Sequence, residues 1–327
     1  MEGLLLAAAA IIVTFNSEDV IGPCLDALNK MAPYVKPIVV DNASSDRTLE
    51  RVRERAHIEL IANPDNRGFA AAVNQGISAC DADFLLLLNP DAYLLTGVDA
   101  LIEASRQYGL AAGQLVDLDG CSQGVCSQGV RPQAGFTIRR LPTPAALIFE
   151  LFGINRFWPS NPVNRPYRYK DRDLNQKGPV EQPAGAFLMT RRDVWTALQG
   201  FDESFHPVWF EDVDFCKRAL DLKYRIEYVP SVQATHQGAH SVGKIPEGCR
   251  ALYWCVSLTK YAAKHFQSAG YRAVCLAVVL SSFPRMVARM IQDRSLQSVA
   301  TYRKIVRFAG LCLFSFGRSA ARGGRIS

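Results

Sequence analysis

No two of the nine cysteines are spaced C-x-x-C; they stand alone at 24, 80, 121, 126, 216, 249, 255, 275 and 312. Their odd number and scatter exclude a zinc ribbon and a disulfide framework, and fit a reducing cytoplasm. The first residues also lack the basic start and the cleavage site of a secretion signal. Met1-Glu2-Gly3 leads into the apolar run 4–13 and then into Thr14-Phe15-Asn16, which reads as a buried first strand. No run reaches the roughly 20 apolar residues that a spanning helix needs. The longest late run, residues 273–280, is followed by Ser281-Ser282 and Pro284-Arg285, so the chain is expected to lie on a membrane and not to cross it. Nor is there a glycine-rich basic loop after the first strand, where the residues are Thr14-Phe15-Asn16-Ser17-Glu18-Asp19, or a nucleophilic Ser or Cys motif. Triphosphate cradling and covalent catalysis therefore have no support.

Acidic residues are scarce at one end. Residues 240–327 hold 14 lysines or arginines against Glu247 and Asp293, a local net of +12 in a chain of formal net charge +6, so residues 1–239 carry −6. The basic residues are interleaved with Leu, Val, Phe and Met, as in 283–291. That pattern suits an anionic membrane surface better than nucleic acid; the competing reading is a solvated basic face on helices packed against the rest.

What is present is an enzyme-sized globular sequence, 327 residues with 49% hydrophobic and 21% charged. From residue 9 to about 115 short apolar runs alternate with amphipathic ones, as in βα units. Strands are predicted at 11–13, 37–40, 58–62 and 84–88. The intervening helices bury Val20, Ile21, Cys24, Leu25, Leu28 and Met31, then Leu49 and Val52 behind a cap cluster Ser44-Ser45-Asp46, then residues 69–80. The expected fold is α/β, a mainly parallel central sheet with helices on both faces. Residues 136–178, with Pro142, Pro144, Pro159, Pro162 and Pro166, break the pattern around a short helix near 145–152. The repeat of 121–125 as 126–130 reads as a loop duplication. A strand at 186–190, helices at 193–198 and 211–222, and strands near 224–229 and 232–236 follow, and the chain is helical and basic beyond Gly238.

Ligands of such a sheet bind beyond the carboxyl ends of the strands. Polar residues stand there: Asn16, Asp41-Asn42, residues 63–66, and Asn89 with Asp91. Asp41 can accept a hydrogen bond from a pyrimidine N–H or a ribose hydroxyl, or else cap the next helix. Gly68, in Asn66-Arg67-Gly68-Phe69, lets the backbone approach a ligand at a helix N-terminus, or makes an ordinary turn. Asp91, presented at the sheet rim, could bind a divalent cation that neutralises a diphosphate, with neutral His236 as partner; each could equally be structural. Trp209-Phe210-Glu211-Asp212-Val213-Asp214 gathers three carboxylates at a helix start, suited to a general base. Asp214, four residues before Arg218, reads as half of a helix ion pair.

In order, Val13-Thr14-Phe15-Asn16, Val40-Asp41-Asn42-Ala43-Ser44, Asn66-Arg67-Gly68-Phe69, Asn89-Pro90-Asp91, Pro183-Ala184-Gly185-Ala186, Gly200-Phe201-Asp202-Glu203 and Phe210-Glu211-Asp212-Val213-Asp214 resemble family-two glycosyltransferases of the GT-A fold. They are especially similar to rhamnosyltransferase-like members of bacterial polysaccharide assembly, over about residues 9–243. The resemblance implies an inverting transfer of a sugar, rhamnose among the candidates, from a dTDP- or UDP-linked donor to a saccharide or lipid-linked acceptor. It makes Asp212 the catalytic base. Thr14, Asn16, Asp41, Asn66, Gly68, Asn89 and Asp91 would serve the donor, Asp41 its base; Gly185, Ala186, Trp209 and Glu211 would serve the acceptor. Asp91 takes the second acidic place of the family's metal motif, with Mg2+ or Mn2+ the implied cofactor; Asn89 departs from the acidic first place. The expected division is a GT-A catalytic domain over 1–243, with a donor half at about 9–115 and an acceptor half at about 116–243, and a basic helical region over 244–327. The expected location is cytoplasmic, peripheral on the inner membrane face. A sugar-nucleotide pyrophosphorylase and an inactive sugar- or lipid-binding scaffold of the same fold are the alternatives.

Overall fold

The computed structural model describes residues 7–118, 130–132, 136–236, 238, 243–293 and 297–314. The repeat at 121–130 lies almost wholly outside them. The described residues within Met1–Arg140, Arg168–Asp202 and Asp212–Lys244 form one compact unit, and those within Leu141–Tyr167, Glu203–Glu211 and Ile245–Ser327 a second.

The first unit is a ten-stranded sheet. Its strands are β1 (Ala8–Thr14), β2 (Val35–Asp41), β3 (Glu59–Ala62), β4 (Phe84–Leu88), β5 (Ala92–Leu94), β6 (Gly109–Leu118), β7 (Val130–Pro132), β9 (Gly178–Val180), β11 (Phe187–Arg191) and β12 (Arg225–His236); β8 (Ile138–Arg139) and β10 (Gln182–Pro183) pair separately. The order is β3-β2-β1-β4-β11-β6-β12-β5, with β7 on β6 and β9 on β12. As expected, β3, β2, β1 and β4 are all parallel. Beyond them β11 runs antiparallel to both β4 and β6, so that half of the sheet is mixed.

Side-chain alternation explains the two layers. Ala8, Ala10 and Ile12 of β1 join one core with Val39, Leu86, Leu88 and the helix Ile21–Met31. Ala9, Ile11 and Val13 join another with Ile38, Val40, Leu85, Leu87 and the helix Phe69–Ser78. Because both faces are covered, β1 and β4 are wholly buried, and each Leu or Ile so placed contributes about 1.5–3 kcal/mol.

Three expectations are corrected. The strands expected at 224–229 and 232–236 form one strand, β12; Pro230 has no N–H for the ladder, and the register shifts between Val229 and Gln233 as a bulge absorbs it. Of the cap cluster, Asp46 serves the helix Thr48–Arg53, accepting from Thr48 N at 3.0 Å, while Ser44 turns to Asp41. In the second unit the run ending at Ser281-Ser282 is not closed there. One helix continues over Ser268–Asp293 with Pro284 inside it, and Ser281 and Ser282 donate back to the Val278 carbonyl. By length and composition this helix could cross a membrane, although a third of its apolar window is buried within the protein. It follows the helix Glu247–His265 and precedes Gln297–Phe314. The helix Pro144–Leu151 belongs to the same unit, with Thr143 capping it and Pro144 in its first turn.

Asp214 does form the expected pair: its carboxylate, without exposure, accepts from Arg218 at 2.7 Å. Arg218 also donates to the Leu198 carbonyl and, at 2.8 Å, to that of Gly200. This fastens the turn 200–202 to the helix Glu211–Asp221, and Asn74 closes it from the other side with bonds of 2.9 Å to Phe201 N and O. Arg218→Met strands a buried carboxylate and is expected to cost about 3–5 kcal/mol, read as a lowered urea midpoint at unchanged m. A loss below about 1 kcal/mol would mean the pair behaves as a surface one.

Candidate functional site

Asp41 ends β2 beside Thr14, its register partner at the end of β1. Its Oδ1 accepts from Thr14 Oγ1 at 2.7 Å and from Ser44 Oγ at 2.5 Å, and its Oδ2 from Ser44 N at 2.9 Å. These bonds fold the loop after β2 back on the strand end, with Ala43 left-handed at φ 63°. Ser44 Oγ also accepts from Asn16 N, and Asn16 Oδ1 accepts from Ser45 N, both at 2.8 Å. Thr14, Asn16 and Asp41 are thus brought into one network; Ser44, its centre, was read in the sequence as part of a cap and as the end of a motif, without a site role.

A ladder of amides carries this network to the next loop. Asn63 donates to Asn42 Oδ1 at 3.0 Å and exchanges bonds with Gln75, while Asn42 Nδ2 donates to the Gly68 carbonyl at 3.1 Å. Asn66 Oδ1 accepts from Gly68 N at 2.9 Å, and Gly68 sits at φ 83°, ψ 164°, which a side chain would oppose. Asn66 itself is exposed. Asn42 and Asn63 were read as strand-end polar residues, whereas Gln75, inside the helix Phe69–Ser78, was not singled out.

Asp91 and His236 meet because β12 runs antiparallel to β5 with His236 opposite Ala92. Asp91 Oδ1 lies 3.5 Å from His236 Nε2, and Asn89 Nδ2 lies 3.4 Å from the same nitrogen. Both Asp91 and His236 are buried, and Phe136 stacks on the imidazole at 4.9 Å. Burial pulls the His236 pKa below its ordinary value against the opposite pull of Asp91 and Asp117, which favours the neutral ring. A neutral imidazole and a carboxylate this close fit a shared divalent cation. Among the described residues no group of three His, Cys, Asp or Glu forms. Two protein donors suit an open site completed by phosphate oxygens and water, and do not suit a closed structural one.

Asp212 lies one residue inside the helix Glu211–Asp221. Its Oδ2 accepts from Gly185 N at 2.9 Å, with Gln182 Nε2 at 3.5 Å, and its Oδ1 from Val213 N at 2.8 Å. Burial raises its pKa against these backbone donors and against Arg139. Yet the residue keeps some exposure, whereas Asp41 and Asp214 have none. Ala186, next to Gly185, accepts from Asn89 N at 3.0 Å, so the strand end bearing Asp91 and the turn facing Asp212 are tied. Gln182 and Arg139 were not singled out in the sequence. Trp209 and Glu211 fall in the second unit. There Trp209 and Phe210 both have left-handed backbones, φ 80° and 72°, in a segment held by Ser257 donating to the Val208 carbonyl and by Phe210 against Tyr261.

Residues 9–117 match the family model described as glycosyl transferase family 2. An N-acetylglucosaminyl-diphospho-decaprenol L-rhamnosyltransferase of Mycobacterium tuberculosis (strain CDC 1551 / Oshkosh) is 30% identical over 228 residues, 65% of this chain and 69% of that protein. Rhamnosyltransferase WbbL of Escherichia coli (strain K12) is 25% identical over 242 residues, 70% of this chain and 83% of that one. A crystal structure of GalNAc-T7 with UDP, GalNAc and Mn2+ overlays with a TM-score of 0.52 at 13% identity, covering 81% of this chain and 52% of that one, a likeness of fold alone.

Gly185 tests how tightly the turn fits. A Cβ there would stand 3.0 Å from Asp212 Cβ and 3.4 Å from its Oδ2. Gly185→Ala is expected to cost about 1–3 kcal/mol by overpacking. A double-mutant cycle with Asp212→Gly should recover part of that loss. Strict additivity in chemical denaturation would show that the two residues do not press on each other.

Proposed function

The chain belongs to glycosyl transferase family 2, with the GT-A fold, and from that premise we propose that it transfers a sugar, L-rhamnose first among candidates, from a dTDP- or UDP-linked donor to a lipid-linked saccharide acceptor with inversion. The observation that carries this reading is the half-buried Asp212, held by Gly185 N–H with a raised pKa, on a fold whose other polar groups gather at the carboxyl ends of the strands. The acceptor is argued from the Mycobacterium tuberculosis relative, named for an N-acetylglucosaminyl-diphospho-decaprenol substrate. In this reading residues 1–243 are the catalytic domain, and the basic residues 244–327 keep it on the cytoplasmic face of the membrane, where such an acceptor would be met.

In the proposed mechanism the Asp212 carboxylate takes the proton of the acceptor hydroxyl. The oxygen attacks the anomeric carbon from the face opposite the diphosphate, the bond to the leaving oxygen breaks, and its electron pair stays with the diphosphate. No covalent enzyme intermediate is needed. Asp41 is assigned to the donor's base. Thr14 and Ser44 fix its rotamer, and Oδ2, which accepts only from Ser44 N among its recorded bonds, keeps a lone pair for a ring N–H. Asn16, Asn66 and Gly68 shape the loops around the nucleotide, Asn89 steadies His236, and Gly185, Ala186, Trp209 and Glu211 are assigned to the acceptor side. Asp91 and His236 would hold a divalent cation, Mg2+ or Mn2+, which would supply positive charge to the leaving diphosphate.

A panel of nucleotide sugars offered with a diphospho-prenyl saccharide tests the reading, with dTDP-rhamnose expected to react best and Asp212→Asn to lose about 100- to 10,000-fold in turnover while donor affinity is kept. The base works deprotonated. Since burial raises its pKa, activity should be lost as pH falls, at values above the ordinary carboxylate range. Full turnover in Asp212→Asn removes it from the mechanism, and no turnover with any donor overturns the assignment.

Chelation should abolish activity. Asp91→Ala and His236→Ala should each raise the concentration of Mn2+ needed for half-maximal rate. Undiminished rate in excess chelator would mean that protein groups alone neutralise the diphosphate.

A further inference from the structure

The helix Ser268–Asp293 has two unlike faces. Val274, Cys275, Val278, Ser281 and Ser282 are buried in the second unit. On the opposite side Leu276, Leu280, Phe283, Val287 and Ile291 are 46%, 50%, 52%, 51% and 73% exposed. Their spacing of three and four residues aligns them in one stripe about 22 Å long at about 1.5 Å per residue. A row of large apolar side chains held in water marks an interaction surface.

Beside the stripe, between this helix and Gln297–Phe314, runs a groove of about 610 Å³. Phe283, Met286 and Val306 supply its apolar lining, and Arg303, Lys304 and Arg307, all exposed, its charge. No acidic residue is among the described residues that line it. Phe283 belongs to both stripe and groove, so the cations adjoin the apolar face.

We propose that this face lies flat on a bilayer of anionic phospholipid, the stripe entering the acyl boundary and the groove taking one lipid phosphate headgroup between Arg303, Lys304 and Arg307. The inference rests on the membrane-face reading above and names the surface that serves it. Apolar burial and cationic attraction are the two components of interfacial binding, and here they adjoin. Crossing is disfavoured although the helix is long enough, because its other side carries Arg285 and Arg289, both committed to partners within the second unit. Arg285 donates to the Glu150 carbonyl at 3.0 Å and stacks on Trp254, and Arg289 pairs with Glu247. Insertion would strip these contacts or carry the charges into hydrocarbon.

Vesicle flotation of the full chain tests the proposal, with phosphatidylcholine alone and with phosphatidylglycerol added. The protein should float with the anionic vesicles, and high salt or alkaline carbonate should release it. Arg303→Gln/Lys304→Gln/Arg307→Gln should lower partitioning on the order of 100-fold at low salt, and Leu280→Gln/Phe283→Gln should lower it at every composition. Both variants should keep the wild-type melting temperature and the turnover with a water-soluble acceptor. Wild-type protein that never floats overturns the surface and the membrane-face reading together, whatever the donor assay reports. Variants that float as well as wild type overturn this surface alone. Resistance to carbonate, or a solution dimer disrupted by Leu280→Gln/Phe283→Gln, overturns it in favour of a crossing helix or a second copy.

Discussion

Burial of the sheet on both faces is the constraint from which the site follows. With β1 and β4 closed in on either side, a polar side chain in mid-strand would lose its water without gaining a partner. The polar residues of this half are therefore placed where the chain leaves the sheet: Thr14, Asp41, Asn63, Asn89 and Asp91. Parallel pairing of β3, β2, β1 and β4 puts those exits on one edge, and bonds between neighbouring exits complete the rim, with Asn42 N on the Thr14 carbonyl and Asn63 N on that of Asp41, each at 2.9 Å. The polar rim is thus mainly a consequence of topology, and the side-chain network refines it.

The mixed half of the sheet solves a different problem. Its strands bring in residues from late in the chain: β11 follows the turn bearing Gly185 and Ala186, and β12 delivers His236 beside Asp91. The helix carrying Asp212 is also tied on its opposite side, where Asp214 engages Arg218 and through it the turn at Gly200.

Much of this was legible in the sequence. The first four strands and their helices follow from apolar periodicity, and six of the seven motifs fall on the network around Asp41 and its amide ladder, the Asp91–His236 pair and the Gly185–Asp212 contact, while Gly200-Phe201-Asp202-Glu203 makes the turn held by Asn74 and Arg218. What escaped were features decided by distant partners. β5 has three residues and is fixed by pairing with β12, not by its own propensity. The continuity of β12 across Pro230 depends on neighbours that tolerate a bulge. Asn74 and Arg218 look like ordinary helix-surface residues until Phe201 and Gly200, brought in by the fold, supply their bonds. Pro284 suggested an end, but packing of the face around Val278 against adjacent helices keeps the helix whole.

Of the site's aspartates, the one proposed as the base differs from the others in its surroundings. Asp41 and Asp214 have no exposure, and each is committed to partners that hold it in place: hydroxyls and a backbone N–H for the first, a guanidinium for the second. Protonation of Asp214 would cost its ion pair with Arg218. Asp91 faces an imidazole whose pKa burial depresses, an arrangement that favours sharing a cation over exchanging a proton. Asp212, the proposed base, combines a raised pKa with remaining access to solvent, and it accepts from two backbone N–H groups and the Gln182 amide. A carboxylate can pass through both protonation states in the course of a reaction only if its scaffold does not depend on its charge, and neutral donors of this kind are what the proposed base would need.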